Sequence, residues 1–537
     1  MSRATGATAD SQRQQLRRTR RVIHSLTAVA VLTSAAVLGT RAIAAPPADV
    51  PPKPPTTAEQ EKGMRTGDPF RDPATADATG GNQNLTVTLD VGQSRFDVSG
   101  RQVSGQAYSG GTVVAPTLQV SPGSTVTIRL VNRLPVATNL HFHGMHVSPT
   151  DDSDNSFSCV SPGATITYRL AIPADHPQGT FWYHSHAMGT MCSADGGHNM
   201  ADMAFTPGQT QNQIFAGLSG AMIVGDNRTL LPAGLRNVAT HTFVLKDAQI
   251  DAAGRIVQNA AGTSISPSNP TVRLVNGQLR PTLALKPNET QLWRLVNAGA
   301  DIFYQLRLDG YRFTVIGEDG IPVAQVSSRD TLLLPPGKRF DVLVTAGASP
   351  GQTVLRTTTF TNGPQGDTYP DTQLATVKVD GRAVTRRPDV SGAIPSAPAD
   401  LAAASVAGSR TVDLSEAAEG DAFYFLINGR KFAADSSVFD TPARLGTVEE
   451  WTIVNHTQEN HPFHLHTNAF QVVSVNGVAQ PYTHREDTAV VPASSGGAPG
   501  RIVIRIPFAD YPGKWMFHCH IAAHEDLGMM SYLDVVR

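Results

Sequence analysis

Apolar positions along this chain recur in short, valine-rich runs that turn-forming residues soon interrupt. Several of these runs alternate apolar and polar residues, and a period of two is typical of β-strands buried on one face. The 47 glycines and 37 prolines among the 537 residues mark frequent turns between the runs. The pattern therefore predicts a mostly β protein.

One motif of this kind occurs three times. It is an alternating strand, a turn or its remnant, and a second strand that ends in Val-Asn. The copies are PTLQVSPGSTVTIRLVNR from Pro116, PTLALKPNETQLWRLVNA from Pro281 and TPARLGTVEEWTIVNH from Thr441. Their closing asparagines, Asn132, Asn297 and Asn455, lie about 160 residues apart, which is one domain length. We therefore predict three domains, at residues 80–228, 236–385 and 400–537.

The first 44 residues have the layout of an export signal: a cluster of arginines, an apolar run at residues 26–39 and small residues before residue 45. The run is shorter than the roughly 20 apolar residues of a typical transmembrane helix. The string TRRVI at residues 19–23 resembles a twin-arginine signal, although His24 departs from it, and an ordinary secretory signal is the alternative. We expect an exported protein, periplasmic or extracellular, in which residues 45–79 form a Pro-rich linker outside any core.

The charge balance argues against two classes of partner. The chain has 43 basic and 45 acidic residues and a formal charge of -2. Binding to nucleic acid or to an anionic membrane would call for a clear excess of basic residues. We expect neither partner.

Histidine pairs occupy matching positions in the first and third repeats. Nine and eleven residues after the closing asparagine, the outer repeats have histidines and the middle repeat has leucines. The last strand of each outer domain adds another pair, where the middle domain has RTT. The four pairs are His141 and His143, His184 and His186, His464 and His466, and His518 and His520.

Alternation along a strand places residues i and i+2 on one face. Four such pairs predict eight imidazoles facing a metal site between the outer domains, with the middle domain as a spacer around an ordinary apolar core. We expect seven other histidines to be ordinary core or surface residues: His24, His146, His176, His198, His241, His456 and His484.

The C-terminal string HCHIAAHEDLGMM adds a thiol to this pattern. If the segment is a strand, Cys519 faces away from its two histidine neighbours and can bind a different metal ion. One thiolate, two imidazoles and a weak thioether form the blue-copper ligand set. His524 and Met529 follow at suitable spacing, and His461 in HPFHLH is the most plausible second imidazole.

The strings HFHG, FWYHSH, HPFHLH and HCHIAAHEDLGMM together resemble the copper motifs of the multicopper oxidase family, in its three-domain, bacterial laccase-like form. The resemblance extends from about residue 80 to the C-terminus. It implies an all-β fold of three tandem cupredoxin-like Greek-key β-sandwich or barrel domains. It also implies four copper ions: one type 1, one type 2 and a type 3 pair.

The resemblance further implies which residue holds each ion. Type 1 copper would be held by His461, Cys519, His524 and Met529. Type 2 copper would be held by His141 and His464. The type 3 ions would be held by His143, His184 and His520, and by His186, His466 and His518.

This assignment suits the chemistry, because reducing dioxygen to water takes four electrons and four one-electron ions can hold them. Protons are needed as well. By resemblance, Glu525 is expected to donate protons beside the oxygen site. Asp154 matches an acidic residue near type 2 copper, with Asp151 or Asp152 as alternatives.

The chain departs from the family in an insert at residues 187–216. The insert holds Met188, Met191, Met200, Met203, His198 and Cys192, which could bind cuprous ion or simply pack. Cys159 and Cys192 are the other two of the three cysteines, and in an exported protein they could form a disulfide.

We therefore expect a laccase-like oxidase that takes single electrons from phenols or aromatic amines and reduces dioxygen. An oxidase of cuprous or ferrous ion is the rival within the enzyme class. A copper-binding or scaffold protein without turnover, built on the same fold, is the rival from another class. No ligand position of the family is missing from the chain, which favours an enzyme.

Overall fold

The computed structural model describes residues 54–77, 84–110, 112–189, 191–192, 209–259, 264–387, 389–420 and 422–537. The predicted signal segment 1–44 lies outside these residues, as do His24, His198, Met200 and Met203. Three short α-helices occur in the described ranges: α1 (Thr57–Glu61), α2 (Gln209–Ala216) and α3 (Ala522–Asp526). None of the described helices has the length and apolar character needed to cross a bilayer.

Strands form almost all of the remaining regular structure and fall into three successive groups. The first group is β1 (Thr75–Ala76), β2 (Leu85–Val98), β3 (Arg101–Tyr108), β4 (Thr117–Val120), β5 (Thr125–Asn132), β6 (His141–His143), β7 (Thr165–Ala171), β8 (Gly179–His184) and β9 (Ser219–Val224). The second is β10 (Ala239–Ala248), β11 (Val272–Val275), β12 (Thr282–Leu285), β13 (Thr290–Asn297), β14 (Tyr304–Leu308), β15 (Phe313–Glu318), β16 (Ile321–Arg329), β17 (Thr331–Leu334), β18 (Arg339–Thr345), β19 (Gly351–Thr358), β20 (Phe360–Thr361), β21 (Thr368–Tyr369) and β22 (Thr372–Val379). The third is β23 (Val406–Glu419), β24 (Ala422–Ile427), β25 (Ala443–Arg444), β26 (Thr447–Asn455), β27 (His461–Leu465), β28 (Gln471–Val475), β29 (Val478–Ala479), β30 (Thr488–Val491), β31 (Gly500–Phe508), β32 (Gly513–Cys519) and β33 (Met530–Val536).

Each group builds two main sheets around an apolar core. The first has the orders β3-β2-β5-β7 and β1-β4-β9-β8-β6. The second has β11-β10-β13-β18-β15-β16 and β12-β22-β19-β14-β17, with β20-β21 apart. The third has β24-β23-β26-β31-β28-β29 and β25-β33-β32-β27-β30. These paired sheets confirm the predicted all-β, cupredoxin-like fold class.

The repeated Val-Asn motif has the same structural role in all three groups. Its two strands do not pair with each other but lie in opposite sheets of the group, as β4 and β5 do. The asparagine that ends the second strand is fully buried each time. Its side-chain oxygen accepts from the N–H two residues later, and its amide donates to carbonyls of the loop that follows. The buried loop therefore requires an amide side chain in each copy.

Residues 54–77 differ from the predicted linker, because they pack along the second group of strands. Glu61 pairs with Arg280 at 2.7 Å, and Phe70 lies against the main apolar core. Pro69 forms a bridge with Thr282. The proline-rich composition hid a capped helical turn, α1, whose Thr56 and Glu59 form a capping box.

The insert after β8 is fixed at both described ends. Cys192 forms a disulfide with Cys159, one of the alternatives that the sequence left open. At the other end, every residue of α2 is buried, and its N-terminal N–H groups at Thr210 and Gln211 donate to Asp526. Gln213 bonds to Thr138 and Ser185 beside β8, so α2 connects the first and third groups of strands.

Candidate metal centre

Eight imidazoles meet where β6 and β8 of the first group face β27 and β32 of the third. Antiparallel pairing sets His141 opposite His184 in one sheet and His464 opposite His518 in the other. All eight side chains are buried: His141, His143, His184, His186, His464, His466, His518 and His520. The four predicted pairs therefore converge on one place.

The strands end sooner than the sequence predicted. β6 contains both of its histidines, whereas His186, His466 and His520 lie just beyond the ends of β8, β27 and β32. Backbone hydrogen bonds still hold these three: His186 N–H donates to Asn139, His466 N–H to Met516 and His520 N–H to Pro462. The regular ladders stop where the imidazoles have to turn toward a common centre.

The imidazoles form overlapping groups of three whose nitrogens lie within 4.8 Å of one another. These groups are His141, His143 and His464; His143, His184 and His520; and His186, His466 and His518. Within them, His143 Nδ1 lies 3.0 Å from His520 Nε2, and His518 Nε2 lies 3.2 Å from His466 Nε2. Each group has the size and composition of a metal site.

Several of the imidazoles form a hydrogen bond through Nδ1, which leaves Nε2 to bind a metal ion. Nδ1 of His184, His464 and His518 each lies 2.8–3.0 Å from a backbone carbonyl, which can only accept a hydrogen bond. Their Nε2 atoms therefore carry lone pairs. Nε2 of His141, His184 and His464 is buried without any hydrogen-bond partner, and such orphaned atoms fit a metal ion.

Burial keeps several of these imidazoles neutral. Burial and the neighbouring imidazoles lower the pKa of His141, His466 and His520 well below its ordinary value. The pKa of His186 falls to about 4 for the same main reason, burial. A neutral imidazole is the form that binds metal.

Asp154 is one of the carboxylates that contact this cluster. Its Oδ1 lies 3.0 Å from His141 Nδ1 and accepts a hydrogen bond from the Phe142 N–H at 2.9 Å. Burial raises the pKa of Asp154 to about 8, although the Phe142 bond opposes the shift. Of the two alternatives that the sequence left open, Asp151 is exposed and Asp152 pairs at the surface with Arg169. Asp154 therefore orients His141.

Glu525 lies on the other side of the cluster, in α3. Its carboxylate oxygens are 3.4 Å from His186 Nε2 and 3.1 Å from His518 Nδ1. Burial by itself raises the pKa of Glu525, but the two imidazoles favour the ionised form more strongly and bring it to about 2. A buried carboxylate is thus in contact with two of the predicted ligands.

The thiol belongs to a second, separate site. Cys519 Sγ lies 3.4 Å from His461 Nδ1 and 3.6 Å from His524 Nδ1, and those two nitrogens are 3.2 Å apart. Burial raises the pKa of the thiol well above its ordinary value, so a bound cation would be needed to stabilise the thiolate. Met529 is fully buried beside them, and its backbone bonds to both Cys519 and His524.

Two residues that the sequence did not indicate orient the imidazoles of the thiol site. Thr457 Oγ1 lies 2.7 Å from His461 Nε2, and Glu459 Oε1 lies 2.9 Å from His524 Nε2. Both contacts turn Nδ1 of the ring toward the sulfur. Nothing in the histidine pattern could have shown them, because they come from a loop that precedes β27.

A cavity of about 830 Å³ opens beside the thiol site, and His524 reaches it with a side chain that is 10 % exposed. Phe423, Phe425 and Tyr369 supply aromatic surface, and Phe425 stacks on His524 with ring centroids 3.8 Å apart. Among the described residues that line the cavity, Asp367 and Glu459 are acidic and none is Lys or Arg.

The remaining described histidines have ordinary partners. His146 bonds to Thr467 and Asp510, His241 to Asp72 and His456 to Asp413. His176 accepts from the His146 N–H, and His484 lies 3.2 Å from Glu318. None of the five lies within the two sites described above.

The chain also matches the models of a known protein family. Three family models, each described as multicopper oxidase, match residues 91–229, 179–381 and 405–537. Together they span nearly all of the chain that follows the predicted linker.

Individual relatives agree with these models. The chain is 25 % identical over 496 residues to the multicopper oxidase MmcO of Mycobacterium tuberculosis, covering 84 % of this chain and 88 % of that protein. It is 27 % identical over 497 residues to a laccase of Bacillus subtilis, covering 79 % and 89 %. A solved structure from Campylobacter jejuni, a multicopper oxidase described as a metallo-oxidase, superposes with a TM-score of 0.72 at 24 % identity and covers 89 % of this chain and 97 % of that one.

Proposed function

The chain belongs to the multicopper oxidase family, and on this premise we propose that it oxidises a reducing substrate by single electrons and reduces dioxygen to water. Enzymes of this family are copper oxidoreductases that use dioxygen. The observation that carries the proposal is the complete donor set, in which ten histidines and one thiol converge on two adjoining sites. A non-catalytic binding protein on the same fold would not need every position of both sites.

Four copper ions are proposed, in the arrangement that the sequence indicated. Cys519, His461, His524 and Met529 would hold one. The eight clustered imidazoles would hold the other three, with His141 and His464 on one ion. When bound, copper supplies one-electron redox chemistry that links oxidation of the donor to reduction of dioxygen.

The protein's own residues connect the two sites. His518, Cys519 and His520 are consecutive, so the peptide backbone joins the thiol to two imidazoles of the cluster. Glu525 is proposed to relay protons to the cluster, because its ionised carboxylate contacts His186 and His518 and can take up a proton and pass it on. Asp154 is proposed to keep His141 in the tautomer whose Nε2 is free to bind metal.

Phenols and aromatic amines are the donors that we propose. The cavity at His524 is lined by three aromatic side chains, and a flat ring can lie against them within reach of the imidazole edge. Cuprous or ferrous ion is the rival donor. It is supported by the acidic residues of the same cavity and by the methionines of the insert, of which Met188 is buried and Met191 is 71 % exposed.

Export of the protein is also proposed. The arginine cluster and apolar run at the N-terminus support it. The disulfide between Cys159 and Cys192 suits an oxidising compartment as well.

Oxygen uptake tests the proposed function directly. The copper-loaded protein is to be supplied in turn with a phenol, an aromatic diamine, cuprous ion and ferrous ion. We expect uptake with the organic donors and water as the product. Faster oxygen uptake with cuprous or ferrous ion would show that a metal ion, and not a phenol or aromatic amine, is the donor. No uptake with any of the four donors would favour the non-catalytic binding protein.

Charge in the cavity should discriminate among organic donors. Asp367 and Glu459 are acidic and no Lys or Arg is among the described lining residues, so a sulfonated donor should react more slowly than a neutral or cationic analogue. Like charges about 4 Å apart repel by about 1 kcal/mol in water, which corresponds to at least about fivefold in kcat/KM.

The measurement compares kcat/KM for the two donors at low and high ionic strength. Salt should narrow the ratio, because it screens the repulsion. Asp367→Asn should narrow it too, while the rate with the neutral donor stays close to that of the wild type. Equal kcat/KM values for the two donors at low salt would contradict the expected preference.

A further inference from the structure

The middle group of strands, interpreted from its sequence as a spacer, reaches into the imidazole cluster through the loop between β17 and β18. Gly337 in this loop has φ +87°, and a Cβ built on it would lie 2.9 Å from His143 Cε1 and 3.0 Å from His520 Cδ2. A side chain at this position would collide with two of the predicted ligands. The backbone of the middle group is therefore one wall of the cluster.

Two residues after Gly337, Arg339 begins β18 and is completely buried. Its two terminal nitrogens donate to the two carboxylate oxygens of Asp487, at 2.8 and 2.7 Å. The other N–H groups donate to the carbonyls of Gly337, Asp319 and Thr180. All five donors of the guanidinium are used, which fixes its plane.

Asp487, which the guanidinium holds in place, contacts two of the predicted ligands. Its Oδ1 lies 3.0 Å from His143 Nε2, and its backbone carbonyl lies 2.8 Å from His464 Nδ1. When this carboxylate accepts a hydrogen bond from the Nε2–H of His143, the lone pair of Nδ1 is left to bind the metal. That Nδ1 is the atom 3.0 Å from His520 Nε2.

The backbone beside His143 is adapted to the same ion pair. Gly144 has φ +78°, and a Cβ there would lie 2.3 Å from both Arg339 Nη2 and Asp487 Oδ2. Only a glycine lets the ion pair pack directly against the turn that follows β6. The contact joins all three groups of strands at one point.

We propose that Arg339 is a positioning residue of the imidazole cluster, acting through Asp487 to hold His143 and His464 in their metal-binding tautomers. The proposal rests on the proposed function, since it concerns the same cluster. Without the guanidinium, Asp487 becomes a buried carboxylate without its cation and no longer has a fixed orientation. Loss of such an outer partner of a ligand typically costs about 10–100-fold in metal affinity.

The test is Arg339→Gln in the full-length protein, with copper bound per chain measured against a competing chelator and the absorbance of the copper–thiolate site recorded in parallel. We expect copper to leave the imidazole cluster at a chelator concentration about 10–100-fold lower than in the wild type. The thiolate absorbance should persist. Arg294→Gln is the matched control: Arg294 is also buried in the middle group, 3.5 Å from Asp341, and touches no predicted ligand.

Equal copper retention by Arg339→Gln and the wild type would overturn the proposal. So would parallel loss from both sites together with a fall in Tm equal to that of the control, because a purely structural role predicts this result. If Arg339→Gln does not fold, the same measurement is made on Asp487→Asn and Arg339→Lys, and the same selective loss of copper from the imidazole cluster is expected. The double variant Arg339→Gln/Asp487→Asn should lose no more copper affinity than Asp487→Asn alone, because Arg339 acts through Asp487. A wild-type protein that binds no copper would refute the proposed function and is distinguishable from all these outcomes.

Discussion

Serine at position 519 is expected to abolish oxidation of every donor while the imidazole cluster keeps its metal. Cys519 Sγ is the atom that His461 and His524 face, and no other free cysteine exists in the described residues. A hydroxyl is a hard and weakly acidic ligand that does not replace a thiolate on copper. The fall in kcat should exceed about 100-fold, since loss of an outer partner alone can cost that much.

Metal analysis and absorbance spectra check this result. The variant should lose the copper–thiolate absorbance and about one copper ion per chain of the four proposed. Ser185→Ala is a matched control, because Ser185 occupies the equivalent position between His184 and His186 and its hydroxyl bonds to Gln213 and Thr138. The control should keep its turnover with a modest loss of stability, about 1 kcal/mol. Normal turnover by Cys519→Ser would remove the thiol from the mechanism.

Replacing Glu525 by glutamine should slow oxygen reduction by about 100-fold or more, the usual contribution of a positioned proton donor. The carboxylate is buried and lies within 3.4 Å of His186 and His518. Among the described residues, no other carboxylate is as close to these two rings. An amide keeps the shape of the side chain but can neither take up nor release a proton at ordinary pH. Reduction of the metal by the donor should proceed at the wild-type rate.

Stopped-flow reduction without oxygen, followed by reoxidation with it, separates these two steps. Copper content should match that of the wild type. Asp526→Asn provides a control, since Asp526 is the next buried carboxylate but accepts hydrogen bonds from the first turn of α2 instead of contacting an imidazole. It should lower Tm and leave reoxidation unchanged. An unchanged reoxidation rate in Glu525→Gln would exclude the carboxylate as the proton donor.

The sequence predicted the ligands well because their signal is local. A strand repeats every two residues, so HFH, HSH, HLH and HCH each imply two imidazoles that share a face. The internal repeat then supplied its own control, since Leu306 and Leu308 stand in the middle copy where the outer copies have histidines, and both leucines are buried in the core. The pattern also indicated that Cys519 faces a different site from its two neighbours, and its sulfur contacts His461 and His524.

Supporting residues carried no comparable signal. Asp154 could not be distinguished from Asp151 and Asp152, because three acidic residues in one loop have the same local pattern, and only burial against His141 separates them. The segment of residues 54–77 looked like a spacer because proline and charge dominate it. Its packing depends on Phe70 meeting Phe243 and on Pro69 bridging to Thr282, and both partners are distant in sequence.

By itself, the sequence determined the fold class, the triplication and the donor atoms, since each is encoded in periodicities that span a few residues. Tertiary structure alone decided how those donors are held. Arg339 and Asp487 are 148 positions apart, and Asp487 and His143 are 344 apart, so their contacts exist only when three groups of strands pack together. A buried ion pair must satisfy every one of its polar atoms in three dimensions, and no periodicity along the chain records that requirement.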